Sequence, residues 1–161
     1  MKILLKNIKE ERMNYTGEVE CKSIENNGDE ILFTKPVIFN GTLRKGEDFV
    51  EIDGAVELSY ETNCHACGEK AICDMEINIF ETFRREPVDD EYELIGNEVD
   101  FDEMILENVR LNLPIKILCK EDCKGICTMC GKNLNFGSCD CVTYEEEKVS
   151  PFSGLKDLFN K

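Results

Sequence analysis

Hydrophobic positions along the first half of the chain fall in short β-prone runs: Ile31-Leu32-Phe33, Val37-Ile38-Phe39, Phe49-Val50-Glu51-Ile52 and Val56-Glu57-Leu58-Ser59-Tyr60. Between them lie Asn26-Asn27-Gly28-Asp29, Asn40-Gly41, Lys45-Gly46 and Asp53-Gly54, residues that supply the positive φ angles of tight turns. Apolar and polar residues alternate in Val56 to Tyr60 and again in Met75-Glu76-Ile77-Asn78-Ile79-Phe80, the pattern of strands with one buried and one wet face. The expectation is a meandering antiparallel sheet over residues 1–85. The stretch from Glu86 to Glu98 is acidic and contains Pro87, so it reads as an exposed connection. Asp100 is placed to cap a helix carrying Phe101, Met104, Ile105 and Leu106 on or near one side, with Glu103 in its first turn. Val109, Leu111 and Leu113 then alternate before Pro114, which leaves two readings open: helix throughout, or a helix followed by a short extended piece.

From Cys119 the periodicity disappears. Six cysteines and few apolar residues occupy the stretch to Cys141, so burial alone cannot organise it. The tail from Pro151 to Phe159 spaces Phe152, Leu155, Leu158 and Phe159 for a short amphipathic helix with Pro at its first position. The fold class expected is α+β: an antiparallel sheet, meander or partly open barrel, with one or two helices and a zinc-stapled C-terminal lobe. Its segments are a strand-rich domain over 1–85, a connection plus helix packing on the sheet over 86–118, a Cys-rich zinc-binding lobe over 119–143, and a tail with a short amphipathic helix over 144–161.

Composition changes this picture in one respect. With 161 residues the chain can bury a real core and needs no cross-links merely to fold, so ten cysteines call for another explanation. No apolar run approaches the roughly 20 residues that span a bilayer, and Met1 to Asn7 is too short in its apolar part for a signal peptide. The expected compartment is therefore the cytoplasm, where clustered cysteines stay reduced and more often mean metal than disulfides.

Cys127-x-x-Cys130-Gly131 has the form of a zinc knuckle, in which a tight turn points two thiolates at one ion and the Gly permits the turn. Cys139-x-Cys141 offers a second close pair across a loop containing Asn133, Asn135 and Gly137. These four make the leading four-thiolate set. Cys119 and Cys123 raise the candidates to six, and they either replace a member of that set or serve another site. Upstream, Cys64-His65-Ala66-Cys67-Gly68 is also knuckle-shaped and falls where a hairpin turn is expected. A metal there would have to borrow Cys73, His65 or the spare C-terminal cysteines; the other reading is a pair of reduced thiols at a turn. Cys21 reads as an isolated buried thiol.

Cys123-x3-Cys127-x2-Cys130 also has the spacing by which radical enzymes hold a four-iron cluster; too little chain follows to build their barrel, which leaves a simpler iron–sulfur or redox protein as the lesser alternative. No nucleophile motif or phosphate-cradling Gly loop is present, and the sole histidine lies inside the first knuckle, so a non-enzymatic protein is expected. The formal charge of −15 disfavours direct binding of a phosphate backbone and suits a basic protein partner. Lys116, Lys120, Lys124 and Lys132 do put local positive charge around the cysteines, which keeps a direct RNA-binding zinc module as the alternative.

Leu111-Asn112-Leu113-Pro114, then Leu118-Cys119-Lys120-Glu121-Asp122-Cys123-Lys124-Gly125-Ile126-Cys127, Cys130-Gly131-Lys132-Asn133-Leu134-Asn135 and Cys139-Asp140-Cys141 closely resemble the C-terminal signature of the YceD family, the large ribosomal RNA subunit accumulation proteins. Cys64-x-x-Cys67 is similar to a further family feature, with Ala66 where the family usually has Arg, and Pro151-Phe152 with Leu155 to Leu158 resembles the family's end. The resemblance implies a role in accumulation or assembly of the large ribosomal subunit without catalysis, with a ribosomal protein or pre-ribosomal particle as partner. Some family members lack the C-terminal cysteines, which implies that zinc supports the fold in this branch.

Overall fold

The computed structural model describes residues 2–8 and 11–141. The expected tail helix over 144–161 lies outside the described residues. The chain forms two compact units, Met1–Cys123 and Lys124–Lys161. The division falls inside the Cys-rich stretch rather than at its expected start, because Cys119 and Cys123 group with cysteines of the sheet.

In the first unit the strands are β1 (Lys2–Leu4), β2 (Arg12–Val19), β3 (Ser23–Asn26), β4 (Asp29–Phe33), β5 (Val37–Lys45), β6 (Phe49–Asn63), β7 (Lys70–Arg84), β8 (Tyr92–Glu93) and β9 (Glu98–Asp100), followed by helix α1 (Phe101–Asn112). The main sheet runs β2-β5-β6-β4-β3, with β7 along the other edge of β6. The fifteen-residue β6 is its spine: Val50 to Glu57 pair with β5, Tyr60 and Glu61 with β4, and the whole length with β7. Pairing is antiparallel except where the two-residue β8 lies parallel to the end of β7. Among the described residues the architecture is thus a mostly antiparallel open sheet with one α-helix; β1 and β9 form a separate two-stranded ribbon.

Two expected turns are not turns. Asn40-Gly41 and Asp53-Gly54 sit within β5 and β6, and Gly41 faces Gly54 directly. Neither glycine has a positive φ; a Cβ on either would strike the Phe39 ring and the backbone of the facing strand. The glycines serve close packing, leaving room for a fully buried phenylalanine across the pair. The Asn27-Gly28 turn between β3 and β4 does use positive φ, 53° and 90°.

One face of the sheet carries Phe39, Leu43, Val50, Ile52, Val56, Ile77 and Ile79, all buried. Helix α1 covers it with Phe101, Met104, Ile105 and Val109, a spacing that aligns them on one side. The Phe101 ring stacks on Tyr15 at 5.5 Å and meets Phe39 and Phe83 at 6.3 and 6.5 Å. Asp100 caps α1 by accepting the Asp102 N–H at 3.1 Å. The helix runs to Asn112 and takes in Val109 and Leu111, so the helix-throughout reading holds; only its C-cap, Leu113, has extended backbone. Buried Asn108 donates to Glu81 of β7 at 2.7 Å, pinning helix to sheet through a satisfied polar contact.

Candidate metal centres

The hairpin from β6 to β7 turns through Cys64 to Glu69, and its backbone bonds are those of a knuckle. The Gly68 N–H donates to the Cys64 carbonyl at 2.8 Å and the Cys64 N–H to the Glu69 carbonyl at 2.7 Å, with Gly68 at φ 75°. In the second unit the same bonds recur. The Gly131 N–H reaches the Cys127 carbonyl and the Cys127 N–H the Lys132 carbonyl, both at 2.8 Å, with Gly131 at φ 72°. Cys-x-x-Cys-Gly has folded twice into one shape, because a non-glycine residue at that left-handed position would be strained.

Each knuckle meets a second pair of cysteines. The sulfurs of Cys64, Cys67, Cys119 and Cys123 lie within 4.8 Å of one another, as do those of Cys127, Cys130, Cys139 and Cys141. The Cys64 and Cys123 sulfurs are 3.7 Å apart and those of Cys67 and Cys119 3.6 Å. Those separations are too long for a disulfide. They match the edge of a tetrahedron of sulfurs about 2.3 Å from a central ion, which is about 3.8 Å. None of the ten cysteines is in a disulfide. Both quartets can hold a metal ion, and the donor set is thiolate throughout.

Protonation tells the same story. Burial opposes ionisation of Cys64, but the backbone N–H groups of Cys119, Ala66 and Cys67 outweigh it and bring the thiol down to about 6. Burial, with the sulfurs of Cys67, Cys123 and Cys64 close by, pushes Cys119 up to about 12. In the second quartet the Cys130 and Met129 N–H groups bring Cys127 down to about 6, while its bond to the Cys130 sulfur and burial push Cys141 up to about 12. Four thiolates cannot all ionise together without a cation among them.

Of the ligands considered for the upstream knuckle, the structure brings in the spare C-terminal cysteines and leaves out the others. His65 is engaged elsewhere: its Nδ1 accepts the Ile117 N–H at 3.2 Å and its Nε2 bonds Asp29 at 2.9 Å. Since Nδ1 accepts, the proton sits on Nε2, which donates to Asp29. The His65 N–H in turn reaches the Ile117 carbonyl at 2.9 Å, so two reciprocal bonds hold the chain entering Cys119 against the knuckle. Cys73 lies directly opposite Tyr60 in the β6–β7 pairing, and the half-buried Cys21 thiol donates to the Ser23 carbonyl at 3.2 Å. In the second unit Ile126 bridges Asn133, Leu134 N–H donates to Gly125, and the Asn135 side chain accepts the Lys124 N–H at 3.0 Å. The Asn and Gly residues between the two cysteine pairs thus form a compact loop without a core.

Fold and sites together define a sheet protein with two four-cysteine clusters, each built on a Cys-x-x-Cys-Gly turn. Its residues 52–159, which include both clusters, match the family described as large ribosomal RNA subunit accumulation protein YceD, and the chain belongs to that family. It is similar to the large ribosomal RNA subunit accumulation protein YCED homolog 1, chloroplastic, of Arabidopsis thaliana, at 38% identity over 61 residues, 37% of this chain and 19% of that protein. The Zea mays protein of the same description is 22% identical over 156 residues, 74% of this chain and 53% of that protein. The chain therefore spans about half or less of these relatives' length. No solved structure matches it. Among the described residues, no helix is long and apolar enough to cross a membrane.

Proposed function

We propose that this chain is a non-enzymatic factor that supports accumulation of large-subunit ribosomal RNA during ribosome assembly, acting through a basic protein partner, with zinc in both cysteine quartets. The observation that carries the reading is the family match over residues 52–159, a range that includes every cysteine of the two clusters. Zinc is the ion such quartets suit: four thiolates in tetrahedral reach leave no open position for substrate, so each metal is structural. The reducing compartment that keeps the quartets as thiols is the cytoplasm or, as the names of both relatives have it, the chloroplast.

A direct RNA-binding role draws less support. The Lys120 ammonium pairs with Asp122 at 3.5 Å and Lys132 donates to the Ser138 carbonyl at 2.5 Å, so part of the local positive charge is already engaged. Each zinc held by four thiolates also adds two net negative charges to a chain at −15. Depletion of the protein, followed by sucrose-gradient profiling, is expected to lower the large subunit relative to the small; an unchanged ratio would sink the proposal. Metal analysis is expected to return two zinc ions per chain in colourless protein, whereas visible absorbance would mean an iron–sulfur cluster.

A further inference from the structure

Helix α1 covers one face of the main sheet, and within the first unit the opposite face is exposed at Glu57, Glu76, Asn78 and Phe80. Register places Glu18 of β2, Ile38 of β5, Glu57 of β6 and Glu76 of β7 in one row across four strands. In the next row but one, Asp53 stands beside Phe80. Glu18, Asp53, Glu57 and Glu76 are exposed and have no cationic partner among the described residues. The cations near this face are engaged: Arg44 is bound to Glu51, Lys70 to Glu61, and Lys35 pairs with Asp74 at 3.7 Å. Glu57 and Glu76 lie directly opposite each other, an arrangement that weakens a sheet.

A face built only to be wet would have no reason to set like charges in register, or to leave Phe80 66% and Ile72 68% exposed among them. Beside Glu57 a hollow of about 290 Å³ opens between Lys35, Ile38, Ser59 and Asp74.

We infer that this face is a docking surface for a lysine- and arginine-rich protein segment bearing apolar residues, its cations meeting Glu57, Glu76 and Asp53 and its apolar side chains covering Phe80. The inference rests on the reading of the chain as a factor that works through a basic protein. Charge selects the occupant. A phosphate backbone is repelled, and a second copy would bring the same carboxylates. The chain's own segment 142–161 has Glu145, Glu146, Glu147 and Asp157 against Lys148, Lys156 and Lys161, so it has no net positive charge to offer.

Fluorescence anisotropy of a labelled lysine- and arginine-rich peptide carrying two leucines, titrated with the zinc-loaded full chain, tests it. Reversing the row with Glu57→Lys and Glu76→Lys is expected to weaken binding about tenfold or more, while the same charge change at exposed Glu86 and Asp90 weakens it less than about twofold. Phe80→Thr, which keeps the charge and suits a strand, is expected to weaken it by about threefold. Equal losses from the two double reversals would overturn the surface, leaving the basic-partner reading standing on net charge alone. Failure of the wild type to bind the peptide would overturn the surface too, and the gradient profile would then judge the functional reading separately. Binding of a ribosomal RNA fragment that Phe80→Thr weakens would put RNA on this face instead. Self-association abolished by Phe80→Thr would put a second copy there; either result overturns the inference.

Discussion

At the scale of single residues, eight of the ten cysteines divide into two sets of four, and metal stoichiometry reads that division. Cys64→Ser is expected to lower bound zinc from two per chain to one and leave the second quartet filled; Cys127→Ser is expected to do the converse. Inductively coupled plasma mass spectrometry on the purified variants checks both, and loss of both ions from either single change would mean one shared site. His65→Ala is expected to keep both ions, because the ring holds Ile117 and Asp29 rather than metal. The glycine pair makes a separate prediction. Gly54→Val forces a side chain into space that the Phe39 ring and the Asn40 carbonyl occupy, and such overpacking costs about 1–3 kcal/mol or more in urea unfolding. Phe39→Ala, which empties a fully buried site, is expected to cost about 3–5 kcal/mol.

At the scale of elements, Asp100→Ala is expected to destabilise the protein by about 1 kcal/mol through loss of the helix cap, measured by the same unfolding assay. That helix was legible in the sequence because its cap, its acidic first turn and its 3.6-residue apolar spacing agree with one another. The strands were legible as well, since alternation marks a half-buried strand wherever it sits. Where β5 and β6 continue was not legible. Asn-Gly and Asp-Gly carry the chemistry of a turn, and nothing local says that two glycines thirteen positions apart, Gly41 and Gly54, will face each other beneath a phenylalanine. The candidate site divides along the same line. A Cys-x-x-Cys-Gly turn is a local feature and can be read from spacing, and so can the leading set of Cys127, Cys130, Cys139 and Cys141. The partnership of Cys64 and Cys67 with Cys119 and Cys123 is long-range, spanning 52 residues between Cys67 and Cys119, and depends on α1 returning the chain to the hairpin end. Chelation followed by hydrogen exchange probes both sites: protection is expected to fall at Cys64, Gly68 and Ile117 and at Cys127, Gly131 and Leu134, while Val56 and Ile77 in the sheet core keep theirs.

At the scale of the whole molecule, a formal charge of −15 sets the folded chain against itself. Moderate sodium chloride is therefore expected to raise the melting temperature of the zinc-loaded protein through screening; a fall with salt would mean that attractive pairs such as those of Arg84 with Glu91 and Asp48 dominate. The two quartets also differ in reach. Cys127 to Cys141 lie in one short stretch, so their ion can be gathered by a chain that has folded nothing else. Cys64 and Cys123 are 59 residues apart, and their ion needs the β6–β7 hairpin and α1 already in place. Occupancy of the near site reports only that metal was at hand; occupancy of the far one reports that the sheet, the helix and the metal all arrived together, which makes it a signature of a finished molecule.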